Sequence, residues 1–213
     1  MEMQTNLDEP SILAEARAKA RLDDFGDESF REPLRVLLAA LDREANLVDF
    51  GRAAQRGRIV DLLVNRLRAE EQFRRHPEIL DEAIGAPIVI VGLPRTGTTL
   101  LHRTLAQDPR LFSARWFECR YPAPFPEGAL GADDPRIPQA KAEVQAMLDG
   151  SPALAAIHPM DAMAADEEIL LLEHSFLSTV PESGANVPSY GAWLDAHDQT
   201  PAYRYLRKLL QLL

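Results

Sequence analysis

The sequence predicts an α/β protein: a P-loop-type parallel sheet core, incomplete within residues 1–213, in a chain that is otherwise predominantly helical. Three observations lead there. Ile88, Val89, Ile90 and Val91 form an unbroken β-branched run, as in a strand buried on both faces. The turn Gly92 to Gly97 carries glycine at both ends and Pro94 inside it, and Thr98 to Leu101 opens a helix continued by Leu105. Most of the remaining chain repeats apolar residues at helical spacing. Strand, glycine-bearing loop and helix in that order aim backbone N–H groups and a helix N-terminus at one point, and such a point suits phosphate.

The first 85 residues read as helices. Ser11 is placed to cap one running to about Leu22, and Glu32 or Pro33 opens another through Leu34, Leu37, Leu38 and Leu41. A longer helix carries Ile59, Leu62, Leu63 and Leu67 and stops at His76, before Pro77. Its arginines, Arg52, Arg56, Arg58, Arg66, Arg68, Arg74 and Arg75, are interleaved with Asp61, Glu70 and Glu71, which predicts a solvated, ion-paired face. Nothing here signals catalysis.

Beyond the loop helix, which ends near Asp108-Pro109, a short second strand is predicted around Arg115 to Phe117. An aromatic wall follows, with Trp116, Phe117, Tyr121 and Phe125 among Pro122, Pro124 and Pro126. A helix is expected over Pro135 to Leu148, and another after Asp161 or Asp166 with Ile169, Leu170, Leu172 and Phe176 inward. Tyr190 and Trp193 suit core packing, and Thr200 with Pro201 opens a final helix through Tyr205, Leu206, Leu209 and Leu210.

Composition narrows the partners. A net charge of −10 argues against nucleic acid or an anionic membrane surface as the main ligand. The single cysteine, Cys119, allows no internal disulfide and fits a reducing compartment. The opening residues lack a signal-like pattern and no apolar run is long enough to span a bilayer, so the expectation is a cytoplasmic protein without a membrane span. His158 and His174 lack metal-ligand spacing to a carboxylate, so no metal is expected.

The sharpest signal is the spacing of Gly92 to Thr99, GLPRTGTT. It fits the phosphate-loop pattern G-x-x-x-x-G-K-[ST] except that Thr98 stands at the lysine position. In nucleoside triphosphatases that lysine reaches the terminal phosphates, so its loss argues against transferring one. The cation sits instead at Arg95, where a guanidinium can fork onto phosphate oxygens. At Pro94-Arg95-Thr96-Gly97-Thr98-Thr99 the sequence resembles the sulfotransferases that use 3′-phosphoadenosine-5′-phosphosulfate (PAPS), whose 5′-phosphosulfate loop reads P-[KR]-[ST]-G-[TS]-T. The arginine form followed by Leu100-Leu101 is similar to the bacterial and tyrosylprotein branches.

The resemblance implies roles. Backbone N–H groups around Thr96, Gly97, Thr98, Thr99 and Leu100 would hold the 5′-phosphate, with Arg95 on the charge of the departing phosphate oxygen. Glu118 would take the proton of an acceptor hydroxyl on a small molecule, lipid or glycan; His158, Asp166, Glu167 and Glu168 remain alternative bases. A second reading of Glu118 is a glutamate paired with Arg115 or Arg120. Residues 1–85 would form a helical N-terminal appendage, and residues 86–213 the N-terminal part of a P-loop-like sulfotransferase domain. Motifs for the 3′-phosphate, a strand ending in Lys-Thr-Pro and a later arginine and serine, are not found, so activity of these 213 residues by themselves is not expected. A nucleotide kinase-like phosphotransferase with a degenerate loop, or an inert nucleotide-binding fragment, are the alternatives.

Overall fold

The structure is a computed structural model that describes residues 5–93, 96–126, 130–157 and 159–213. It divides into two units: Met1–Glu82 with Ile169–Leu212, and Ala83–Glu168 with Leu213.

The first unit is all helix. Asp8 caps α1 (Glu9–Ala20), its carboxylate accepting from Ser11 N at 3.0 Å and Ser11 Oγ at 2.7 Å, so the cap lies three residues before the predicted one. α2 (Arg31–Arg43) buries Leu34, Leu37, Leu38 and Leu41, one apolar face at helical spacing. α3 (Asp49–Arg75) buries Ile59, Leu62, Leu63 and Leu67 and ends at His76, where the following proline disfavours helical backbone. The later part of the chain completes this core. α10 (Pro188–Ala196) inserts Tyr190, which is fully buried with its hydroxyl 2.7 Å from the Ser178 carbonyl and 3.0 Å from that of Phe176. α11 (Thr200–Leu212) contributes Ala202, Tyr205, Leu206 and Leu209; its first amide donates to Asp198, so Asp198 rather than Thr200 makes the cap.

The predicted arginine face is ion-paired in part: Arg56 meets Glu15, Arg58 meets Glu173, and Arg74 and Arg75 share Glu71. Arg66 departs from the pattern. It is 1% exposed, donating to the carbonyls of Phe25 and Asp27 at 2.7 Å and lying over the Phe30 and Tyr205 rings. The predicted helix near residue 169 shrinks to one turn, α8 (Ile169–Leu172), ahead of a 3₁₀ turn. There Leu171 and Phe176 are buried, whereas Ile169, Leu170 and Leu172 are half-buried.

The second unit corrects the predicted α/β class. No β-strand is present among the described residues, so the parallel sheet core is absent from them. Residues 83–93 carry no regular structure, and Ile88, Val89 and Val91 are 64%, 72% and 89% exposed. A strand finds its hydrogen-bond partners only on a neighbouring strand, and no other described segment pairs with this one. Arg115 to Phe117 is not a strand either. Arg115 makes a single antiparallel bridge to Ala165, and the chain then turns into α5 (Trp116–Arg120), opened by a capping box between Arg115 and Glu118. α4 (Thr98–Leu105) follows the glycine-bearing loop, α6 (Arg136–Gly150) buries Ala140 and Val144, and the short α7 spans Leu154–Ile157. Trp116, Phe117, Cys119 and Tyr121 are buried within this unit; Trp116 and Phe117 belong to α5, and Pro122, Pro124 and Pro126 lie in the following stretch 121–126, which has neither helix nor strand.

Candidate active site

The loop before α4 is tightly curled. A Cβ on Gly92 would lie 2.9 Å from both Thr96 Oγ1 and Thr98 Cγ2, so the chain folds back over this position at a distance only glycine accepts. Thr96 Oγ1 donates to the Leu93 carbonyl at 2.6 Å, closing the turn. Gly97 takes φ +93° at the N-cap of α4, a left-handed conformation that reverses the chain into the helix. No side chain caps α4 and no acid stands in its first turn, so no carboxylate of its own first turn offsets the positive end of the helix dipole. Thr96, Gly97, Thr98, Thr99 and Leu100 are thus gathered at one exposed or half-buried helix start. Arg95 lies outside the described residues.

Glu118 is 8% exposed and fixed from one side. Its Oε2 accepts from the Arg115 amide at 2.8 Å and from Arg115 Nε at 3.1 Å, and its Oε1 accepts from Arg115 Nη2 at 2.6 Å. The carboxylate in turn raises the Arg115 pKa, chiefly through this hydrogen bonding. A carboxylate offers about four acceptor directions, so the three bonds leave one open, on Oε1. Glu118 lines a cavity of about 420 Å³ together with Arg103, Leu111, Phe112, Arg115 and Met163, a volume that suits a small molecule. Arg103 belongs to α4, five residues after Thr98, so one helix carries the glycine-bearing loop at its start and a cavity wall ~7–8 Å further along its axis.

The sequence profile described as the sulfotransferase family matches residues 87–213. The chain belongs to the sulfotransferase family. Two solved structures are similar to it. The crystal structure of sulfotransferase STF1 from Mycobacterium tuberculosis H37Rv shares 35% identity with a TM-score of 0.82, over 97% of this chain and 57% of that one. That of sulfotransferase STF9 from Mycobacterium avium shares 26% identity with a TM-score of 0.84, over all of this chain and 55% of that one. The chain therefore spans a little over half the length of these two sulfotransferases. A comparison with curated protein sequences gave no significant match.

In this sulfotransferase-family chain the remaining sequence candidates are distributed differently. His158 lies outside the described residues. Asp166 is buried, its backbone amide bonded to the Ala114 carbonyl and its Oδ1 accepting from the Glu167 amide at 2.8 Å, while Glu168 is exposed. Neither they nor Glu167 line the cavity that holds Glu118. Cys119 is buried and its thiol is pushed far up, first by burial and then by the Asp166, Glu118 and Glu168 carboxylates, which makes it inert as a nucleophile. Arg120 instead pairs with Glu143 at 2.8 Å, and burial raises the Tyr121 hydroxyl, which donates to the same carboxylate at 2.5 Å. Sequence reasoning gave Arg103 no role. The available signal was its place on the loop helix, where an arginine five residues after the phosphate end can reach the same neighbourhood.

Proposed function

We propose that the protein transfers a sulfuryl group from PAPS to the hydroxyl of an acceptor. The observation that carries this reading is the pairing of the curled Gly92–Gly97 loop with a cavity containing Glu118, both built on α4. The loop residues fit a 5′-phosphate: the fold-back over Gly92 shapes the turn, and the helix start provides amides and positive potential without a competing carboxylate. The donor, when bound, supplies the activated sulfuryl group. The Thr98 and Thr99 hydroxyls add contacts, and Arg95 neutralises charge on the departing phosphate oxygen. Glu118 accepts the acceptor's proton on the open side of Oε1, while Arg115 holds the carboxylate in place.

Replacing Glu118 by Gln keeps the shape and removes the base. In an enzyme that joins these residues to a 3′-phosphate site, turnover is expected to fall about 10²–10⁴-fold, with adenosine 3′,5′-bisphosphate binding by calorimetry unchanged. Turnover within a few-fold of the parent would remove Glu118 from the reaction, and ATP binding as tightly as the bisphosphate would overturn the choice of donor.

A further inference from the structure

The cavity beside Glu118 has a charge unlike that of the rest of the chain. Two guanidiniums, Arg103 and Arg115, and one carboxylate, Glu118, line it, a local excess of one positive charge in a protein of net charge −10. Arg115 is committed, since its Nε and Nη2 both bond Glu118. Arg103 is not. Its Nη2 donates to the Pro159 carbonyl at 2.7 Å, and among the described residues no carboxylate pairs with it. Its Nε is buried and has no hydrogen-bond partner. A guanidinium carries five N–H donors and favours planar anions, so Arg103 keeps both charge and donors for something the protein does not supply.

The other walls fix the shape of what would enter. Leu111, Phe112 and Met163 line the cavity, and Phe112 is 65% exposed although it is a large apolar side chain. An apolar or aromatic body would cover it.

We propose that this cavity takes an acceptor that carries an anionic group as well as its hydroxyl. Arg103 is the specificity-determining residue that reads the anion, and Glu118 faces the hydroxyl. The inference rests on the sulfuryl-transfer reading for the role of the hydroxyl, but not for the binding preference. The net negative field of a protein this acidic would repel such a molecule; the Arg103 guanidinium, uncompensated by a carboxylate among the described residues, reverses the field locally.

Two phenols of matched shape test it: 4-hydroxyphenylacetate, which is anionic, and 4-hydroxyphenylacetamide, which is neutral. Calorimetric titration is expected to show the carboxylate binding about tenfold more tightly, the worth of one charge-assisted contact. Arg103→Gln should bring the carboxylate to the level of the amide, and Arg103→Lys should restore part of the preference. Equal binding of the two phenols to the parent protein, or no binding of either at millimolar concentration, overturns the proposal without recourse to a variant. So does a preference that survives Arg103→Gln, or an equal loss of adenosine 3′,5′-bisphosphate binding in that variant, which would assign Arg103 to the nucleotide. Sulfuryl-transfer assays separate the two readings. With these residues in an enzyme that also carries a 3′-phosphate site, an Arg103-dependent preference with no transfer to either phenol supports the anion site and sinks the transferase reading. Transfer to both phenols with equal kcat/KM does the reverse.

Discussion

Ile59, Val60, Leu62, Leu63 and Val64 are all buried within α3, while Ile88, Val89 and Val91 stand mostly exposed ahead of the glycine-bearing loop. The two runs are nearly indistinguishable in hydrophobicity. They differ in how their backbones are satisfied. A helix closes its own N–H and C=O groups, so α3 needs no partner for its backbone and packs its apolar face against α1. A β-branched run has no such internal solution and stays without regular structure until another strand lies beside it. Hydrophobicity marks which residues are suited to burial, and hydrogen-bond accounting decides which of them achieve it.

The contrast can be broken most directly by truncation on each side of it. Leu63→Ala empties a fully buried position and is expected to cost about 2–5 kcal/mol of unfolding free energy. Val89→Ala should stay within about 0.5 kcal/mol, because its side chain is already largely in water. Urea denaturation of both variants checks this, and equal losses would mean that Val89 is covered in solution. A smaller effect is expected at the junction between the extended segment and α4. Gly97→Ala forces a side chain into φ +93° and should destabilise by about 1 kcal/mol, with weakened adenosine 3′,5′-bisphosphate binding as the second readout. An unaltered affinity would separate the loop's conformation from its capacity for phosphate.

The smallest effect comes from the caps that let helices end without partners. Hydrogen bonds from Ser29, side chain first and then backbone, hold the Asp27 carboxyl below its usual range. A depressed folded-state value means the contribution is present above the unfolded carboxylate pKa of about 3.9 and is lost as pH falls through the folded value. Solvent exposure limits it to a few tenths of a kcal/mol. Asp27→Asn should therefore flatten the drop in urea midpoint between about pH 5 and pH 3, and an unchanged acid limb would move the effect to other carboxylates.

Much of the helical unit was legible because its signals are local. The apolar spacing of Leu34, Leu37, Leu38 and Leu41 and the stop before Pro77 reappear in α2 and α3. Caps shifted by two or three residues, to Asp8 and Asp198, whose carboxylates accept the Ser11 and Thr200 amides and so start each helix earlier than the hydroxyls would. The strand at Ile88 was misjudged for the opposite reason: its formation depends on residues far along the chain, which no local pattern reports. Arg66 was equally opaque. Its sequence neighbourhood matches that of the paired arginines around it, and the carbonyls of Phe25 and Asp27 with the Phe30 and Tyr205 rings distinguish it. Of the site, the two glycines were readable from turn chemistry, and the bidentate hold of Arg115 on Glu118 was one of two readings left open by the sequence.

The wiring of the helical unit also sets a timetable for its synthesis. Arg58 meets Glu173, Lys208 meets Glu70, and the Ser189 amide meets Glu44 across sequence separations of 115, 138 and 145 residues. A ribosome that has released residues 1–82 has therefore delivered α1, α2 and α3 but not Phe176, Tyr190 or Leu194, which finish the same core. At about 5–20 residues per second, the early helices wait several seconds for those side chains. During that interval the faces of Leu34, Leu63 and Leu67 are without their final covering, which is the stage at which a chaperone would find the nascent chain easiest to hold.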